Sequence, residues 1–381
     1  MNKNEAYWIA AQPGLTPLAI GMPGVAKTQL NYAFARAVQR PMYTLIGSLR
    51  DPGDIGGYPN VHKIQTKSNG ELVYMALVPP KYAVDCFDGR DWIIFIDELT
   101  TCPPAVQAAL LRVIAEKVVG DIHLPRNTWI LSAANPPDQA AAGMELEAPM
   151  SNRLVHLQWQ IDWESWEEGM MNRLSFPVPK FPLLPATWMD KFPEVSGMVV
   201  AFRNHRPTMF ADFPNDRSKQ GGPWPSPRSW THAAQCMAAA RSVNASKGVE
   251  LDLVTGCVGE SVAAEFYNWL ESLDLPDPES LIIAARKELE GKGKMKYAHP
   301  DRPDKVIAML SAVNSRVIDN LTAERWEAGM LVLEKAAEHS PDVAVACAKP
   351  IATRQPAGAK ITPAFVRNMF PILRKTLLDK N

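Results

Sequence analysis

Apolar residues fall along the first 160 positions in short unbroken runs, each followed by a stretch with a helical period. Leu18-Ala19-Ile20 leads into a glycine turn. Leu30, Ala33, Phe34, Ala37 and Val38 then share one helical face until Arg40-Pro41 ends it. Tyr43–Ile46, Ile93–Ile96, Trp129–Ala134 and Leu154–Leu157 supply four more runs. Ala105–Glu116 carries its apolar stripe at Val106, Ala109, Leu110, Val113 and Ile114. Runs without polar alternation read as strands covered on both faces, and helices between them make the sheet parallel. Residues 1–160 are therefore expected to form an α/β domain. Within it, Val61–Gln65 and Glu71–Tyr74 flank Ser68-Asn69-Gly70, the signature of a hairpin inserted at about 58–76.

From Asp162 the pattern turns helical. Segments at 162–174, 187–204, 227–246 and 249–273 follow, joined by proline-rich stretches such as Phe176-Pro177-Val178-Pro179 and Pro223-Trp224-Pro225. They predict a small helical domain over 161–275. A further helical region, 276–381, opens after Leu275-Pro276-Asp277-Pro278, with a helix or interrupted helix from Val306 to Glu338 and a basic helix near Asn381. Trp159, Trp163 and Trp166 have the spacing of one helical face, which predicts core packing.

Composition narrows the classes. Forty Lys+Arg against forty-one Asp+Glu leave a net charge of −1, without the global basic field of a nucleic-acid or anionic-membrane binder. The 46% hydrophobic content is that of a folded chain. No apolar run approaches the ~18–20 residues that span a bilayer, so no membrane partner is expected. The N-terminus lacks the order of a secretion signal. Five widely spaced cysteines without ligand spacing predict free thiols, and with them a cytoplasmic protein.

The chemistry concentrates at three places. Gly21-Met22-Pro23-Gly24-Val25-Ala26-Lys27-Thr28 joins the first strand to the first helix. Such a loop turns backbone N–H groups inward around phosphates at a helix N-terminus. Lys27 reaches the β- and γ-phosphates, and the Thr28 hydroxyl coordinates Mg²⁺. Ala26 stands where the last glycine of such loops usually lies; a left-handed backbone there would cost about 1–2 kcal/mol. Ile93–Ile96 ends in Asp97-Glu98, seventy residues beyond Lys27. Two acids on a buried strand end call for a cation or polar ligand. Asp97 suits the Mg²⁺ shell and Glu98 the activation of water, against the alternative of a helix cap or turn. Asn135, before Pro136-Pro137, is placed to hold the attacking water, or is an asparagine of a turn. Loop and acids together predict an ATPase using ATP and Mg²⁺.

The order Gly21–Thr28, Asp97-Glu98, Asn135, Asn152-Arg153 and Ser226-Pro227-Arg228 resembles the AAA+ ATPases, and among them the MoxR group, over roughly residues 10–270. Asp51-Pro52-Gly53-Asp54-Ile55-Gly56-Gly57 and Pro104–Leu111 agree with it. The resemblance implies a P-loop α/β/α domain with a helical lid over 161–275, and a homo-oligomeric ring, usually a hexamer, with ATP between subunits. It makes Arg153 the arginine finger directed at a neighbour's γ-phosphate and Arg228 the second sensor coupling nucleotide to lid. It also implies a chaperone-like remodeller, partnered by a protein with a von Willebrand factor A domain; the hairpin either touches the client, as the resemblance implies, or is a structural ribbon capping the sheet edge. A nucleic-acid motor or loader, which the charge does not favour, and a nucleotide-gated scaffold are the alternatives.

Overall fold

The computed structural model describes residues 4–65, 71–136 and 145–360. Nine strands occur among them: β1 (Thr16–Ile20), β2 (Met42–Ile46), β3 (Tyr58–Gln65), β4 (Glu71–Val78), β5 (Ile93–Asp97), β6 (Val118–Val119), β7 (Ile122–His123), β8 (Trp129–Ala134) and β9 (Leu154–Gln158). The five predicted from apolar runs form one parallel sheet in the order β2-β5-β8-β1-β9. Ile93 to Ile96 are completely buried, as a central strand covered on both faces requires. This is the P-loop α/β fold of AAA+ domains, with helices on both faces and a helical C-terminal region. Because β1 lies between β8 and β9 while the chain leaves it towards β2, the loops after β1, β5 and β8 meet at one edge.

Below one face, Ile55, Tyr82, Val106, Leu110 and Val113 pack against Ile94 and Ile96. The other face holds the helix Lys27–Ala37 and an N-terminal helix, Glu5–Ala11, that the apolar pattern does not announce. Its Trp8 is fully buried, with its ring 4.7 Å from that of Phe34. β3 and β4 pair antiparallel as the predicted hairpin; its turn, Ser68-Asn69-Gly70, lies outside the described residues.

The described residues group into two compact units. One takes those within Met1–Leu184, Asp212–Cys236 and Val243–Glu260; the other takes those within Pro185–Ala211, Met237–Ser242 and Ser261–Asn381. The second is helical and packs Leu281, Val306, Leu310, Val313, Trp326 and Leu333 into its own core. Gly197 lets the helices Phe192–His205 and Pro303–Asp319 close up, since a Cβ there would stand 1.9 Å from Ser311 Oγ.

Two helical expectations need correction, and one left open is resolved. The segment 249–273 is two helices, Lys247–Val258 and Glu260–Ser272, broken at Gly259 with φ of +90°. The segment 306–338 takes the interrupted form, as Pro303–Asp319 and Ala323–Ala337, the second capped by Thr322. The three tryptophans do not share a face. Trp159 directly follows β9 and is buried, whereas Trp163 and Trp166 lie in the first turn of the helix Trp163–Met171 and stay 55% and 48% exposed. The basic helix expected near Asn381 lies outside the described residues. All five cysteines are free and buried, and no helix among the described residues is long and apolar enough to cross a membrane.

Candidate nucleotide site

The loop after β1 is fixed at both ends. Gly21 N–H donates to the Ala134 carbonyl on β8 at 3.2 Å. A Cβ on Gly21 would stand 2.8 Å from that of Trp159, so glycine alone fits beneath it. Ala26 takes φ 61° and ψ 20°, so the left-handed cost of about 1–2 kcal/mol does apply here. The Trp159 indole N–H donates to the Val25 carbonyl at 3.1 Å.

Lys27 opens the following helix, and its ammonium folds back over the loop. Nζ donates to the carbonyls of Gly21 at 2.6 Å and Met22 at 2.9 Å, and to Asn135 Oδ1 at 2.9 Å. Burial pushes its pKa down, with the nearby Asp97 acting the other way. Thr28 Oγ1 donates to Asp97 Oδ2 at 2.6 Å, and the other Asp97 oxygen accepts the Glu98 N–H at 2.9 Å. Glu98 follows β5 in a left-handed backbone, φ 59°, and its Oε2 accepts the hydroxyl of Ser48. Thr100 Oγ1 donates to the Asn135 carbonyl at 3.0 Å, tying the loop after β5 to that after β8.

Each of these residues ends a strand of the parallel sheet or lies in the connection that follows one, which is why positions far apart in sequence converge. A hydroxyl and a carboxylate in mutual contact form a hard-oxygen pair of the kind Mg²⁺ takes. Beside them stand an ammonium and a helix N-terminus, both suited to phosphate. The donor set fits a magnesium-bound nucleotide.

Arg153 and Arg228 lie elsewhere. β1 and β9 run in register from Thr16↔Leu154 to Ile20↔Gln158, so Arg153 sits at the amino end of the sheet. At about 3.3 Å per residue, that end is about 13 Å from the loop. A cavity of about 480 Å³ there is lined by Arg153, Arg228, His232, Glu116 and Lys117, among others. The local folding explains the pairing. Ser226 accepts the Ser229 N–H at 3.1 Å, capping the helix Pro227–Ser242, and donates to Asn152 Oδ1 at 2.8 Å. Arg153 Nη1 donates to the Pro149 carbonyl at 2.5 Å. Burial, then Arg228, lowers the Arg153 pKa against the pull of Glu116. Burial and the two arginines push His232 down to about 4.

The structure thus gathers Gly21–Thr28, Asp97, Glu98 and Asn135 at the carboxyl end, and Arg153 with Arg228 at the amino end. Sequence reasoning passed over Ser48, an unremarked serine after β2, and placed Trp159 in a helical stripe. The register of β9 against β1 is the signal that would have brought Trp159 to the loop.

Residues 18–155 match the family model described as AAA domain (dynein-related subfamily). The match begins in β1 and ends in β9; it includes the loop, the acids, Asn135 and Arg153, and stops before Arg228. It supports an ATPase of the AAA+ class. Among curated proteins, none matches the chain.

Proposed function

We infer that the chain is a magnesium-dependent AAA+ ATPase of the MoxR type that works as a homo-oligomeric ring and remodels a partner protein. The observation that carries the reading is the 2.6 Å contact of Thr28 with Asp97, beside Lys27 at the mouth of a parallel sheet. Thr28 and Asp97 would hold Mg²⁺, which neutralises charge on the β- and γ-phosphate oxygens. Lys27 grips the same oxygens, and the loop's N–H groups orient the triphosphate. Glu98 accepts a proton from water whose oxygen bonds to the γ-phosphorus as the bridging P–O bond breaks and ADP leaves. Asn135 orients that water.

Arg153 is too far from its own loop to reach the γ-phosphate bound there. This favours a role towards a neighbouring subunit, where a guanidinium offsets charge on the transferring phosphoryl group. Arg228, in the same cavity, is assigned to the same neighbour and couples its nucleotide to the helices of 161–275, read as a lid. The client is assigned to the hairpin, whose Val61 and Met75 are 60% and 68% exposed. A protein with a von Willebrand factor A domain is the proposed partner.

The test is ATP binding and turnover in two variants. Lys27→Ala loses binding, whereas Glu98→Gln binds ATP and turns over at least about 10²-fold more slowly. Unchanged turnover in Glu98→Gln removes the proposed base.

A further inference from the structure

We propose that Trp159 is a positioning residue for the phosphate loop: its indole N–H holds the Val25–Ala26 peptide in an orientation that alanine at position 26 would otherwise abandon. The inference rests on the nucleotide site proposed above.

The indole is itself firmly placed. The Trp159 N–H donates to the Ile20 carbonyl at 2.7 Å, prolonging the β1–β9 ladder. Its ring meets Tyr7 edge-on at 5.4 Å and Trp8 at 5.8 Å, both on the N-terminal helix. One residue on, Gln160 N–H donates to Asn4 Oδ1 at 2.8 Å, while Asn4 Nδ2 donates to the Gln160 carbonyl at 3.0 Å. Backbone, ring and neighbour are thus all fixed from the N-terminal helix and β1, and the indole N–H is aimed at one acceptor, the Val25 carbonyl.

That acceptor belongs to the strained link of the loop. A trans peptide is planar, with its C=O and N–H pointing opposite ways. Holding the Val25 carbonyl against Trp159 therefore turns the Ala26 N–H to the other side, towards the interior of the loop. The cost falls on Ala26, at φ 61°. Rotating this one peptide returns Ala26 to a negative φ, which alanine prefers. The same rotation breaks the indole bond and presents a carbonyl where phosphate needs a donor. Alanine drives the flip and tryptophan opposes it. Glycine at position 26 would supply no drive, because it adopts both signs of φ with similar ease.

The experiment compares wild type, Trp159→Phe, Ala26→Gly and the double variant. It measures calorimetric affinity for magnesium-ATP, KM, kcat and the melting temperature of the nucleotide-free protein. Phenylalanine keeps a ring and removes the N–H. Trp159→Phe is expected to weaken ATP binding and raise KM by about 5- to 30-fold, the conformational cost of Ala26 read as affinity, with kcat within about twofold. Ala26→Gly alone shifts affinity by less than about threefold, and added to Trp159→Phe it restores affinity to within about threefold of wild type. Unchanged affinity in Trp159→Phe overturns the proposal. So does an equal loss in both backgrounds, or a lowered melting temperature with no rescue, since each describes a packing residue. Failure of the wild type to bind ATP overturns the nucleotide site instead.

Discussion

The two ends of the parallel sheet carry charge in opposite ways. At the carboxyl end the chain answers itself: Lys27 meets two carbonyls and the Asn135 amide oxygen, and Asp97 meets Thr28 and a backbone N–H. At the amino end Arg153, Arg228 and His232 line one cavity; burial and then Arg228 lower the Arg153 pKa against the pull of Glu116, and burial and then the two arginines lower that of His232. A self-satisfied cluster folds without help and opens to exchange its internal partners for a ligand. A surplus of positive character around a partly buried cavity costs stability and is useful when an anion arrives from outside. On the proposed function, the difference separates a site that would hold nucleotide from a site that would act on a nucleotide held by another copy.

Removing Arg153, the proposed finger, should break this comparison most visibly. Arg153→Ala is expected to lower turnover by about 10³-fold while ATP affinity in equilibrium titration stays within about threefold. Mixing it with Lys27→Ala gives the sharper readout. The first variant supplies a loop without a finger and the second a finger without a loop, so mixed assemblies regain turnover that neither has alone. No recovery on mixing, or a loss of affinity in place of turnover, would put Arg153 on its own chain's nucleotide.

A smaller effect concerns how the amino end is held. His156 on β9 is fully buried; its ring nitrogen donates to the Ser151 carbonyl at 3.0 Å, and Ser151 Oγ donates to the Gly222 carbonyl at 2.6 Å. Burial pushes its pKa down to about 4. The unfolded chain, near the ordinary 6.5, takes up this proton first as pH falls. Stability is therefore full above about 6.5 and declines as pH drops towards 4, by on the order of 3 kcal/mol for this group. His232 contributes with the same sign in the same window. Denaturant unfolding at pH 7.5 and 4.5 reads the slope, and His156→Gln should flatten it. A wild-type slope that His156→Gln leaves unchanged would assign the acid sensitivity to other groups.

Much of the carboxyl end was legible because each residue follows an apolar run. Lys27, Asp97 and Asn135 come after Leu18–Ile20, Ile93–Ile96 and Trp129–Ala134, and a parallel sheet gathers the ends of such strands. Ser48 and Trp159 were not legible as site residues, because what matters about them is a contact made across the fold. Trp159 reaches Val25 through the pairing of two edge-ward strands, which no spacing rule encodes. Gly259 was read through, since a glycine weakens a helical period by only about 1 kcal/mol and leaves the apolar pattern intact. Arg228 was found as a motif, but its position beside Arg153 depends on the bond between Ser226 and Asn152.

The smallest expected effect tests whether the surplus at the amino end is kept for use. Arg228 is exposed in the first turn of the helix Pro227–Ser242, where the helix dipole disfavours a cation by about 0.3–1 kcal/mol. It also shares its cavity with Arg153, whose charged form it disfavours. Arg228→Gln removes both penalties without altering the Ser226 cap or the backbone. The nucleotide-free protein should therefore melt about 1–3 °C higher, while turnover of the assembled protein falls several-fold. The two readouts moving in opposite directions would mark a residue whose local cost is offset only when a neighbour's anion is in reach. If Arg228→Gln melts lower, the arginine stabilises its own chain, and the cavity holds a structural pair in place of a waiting one.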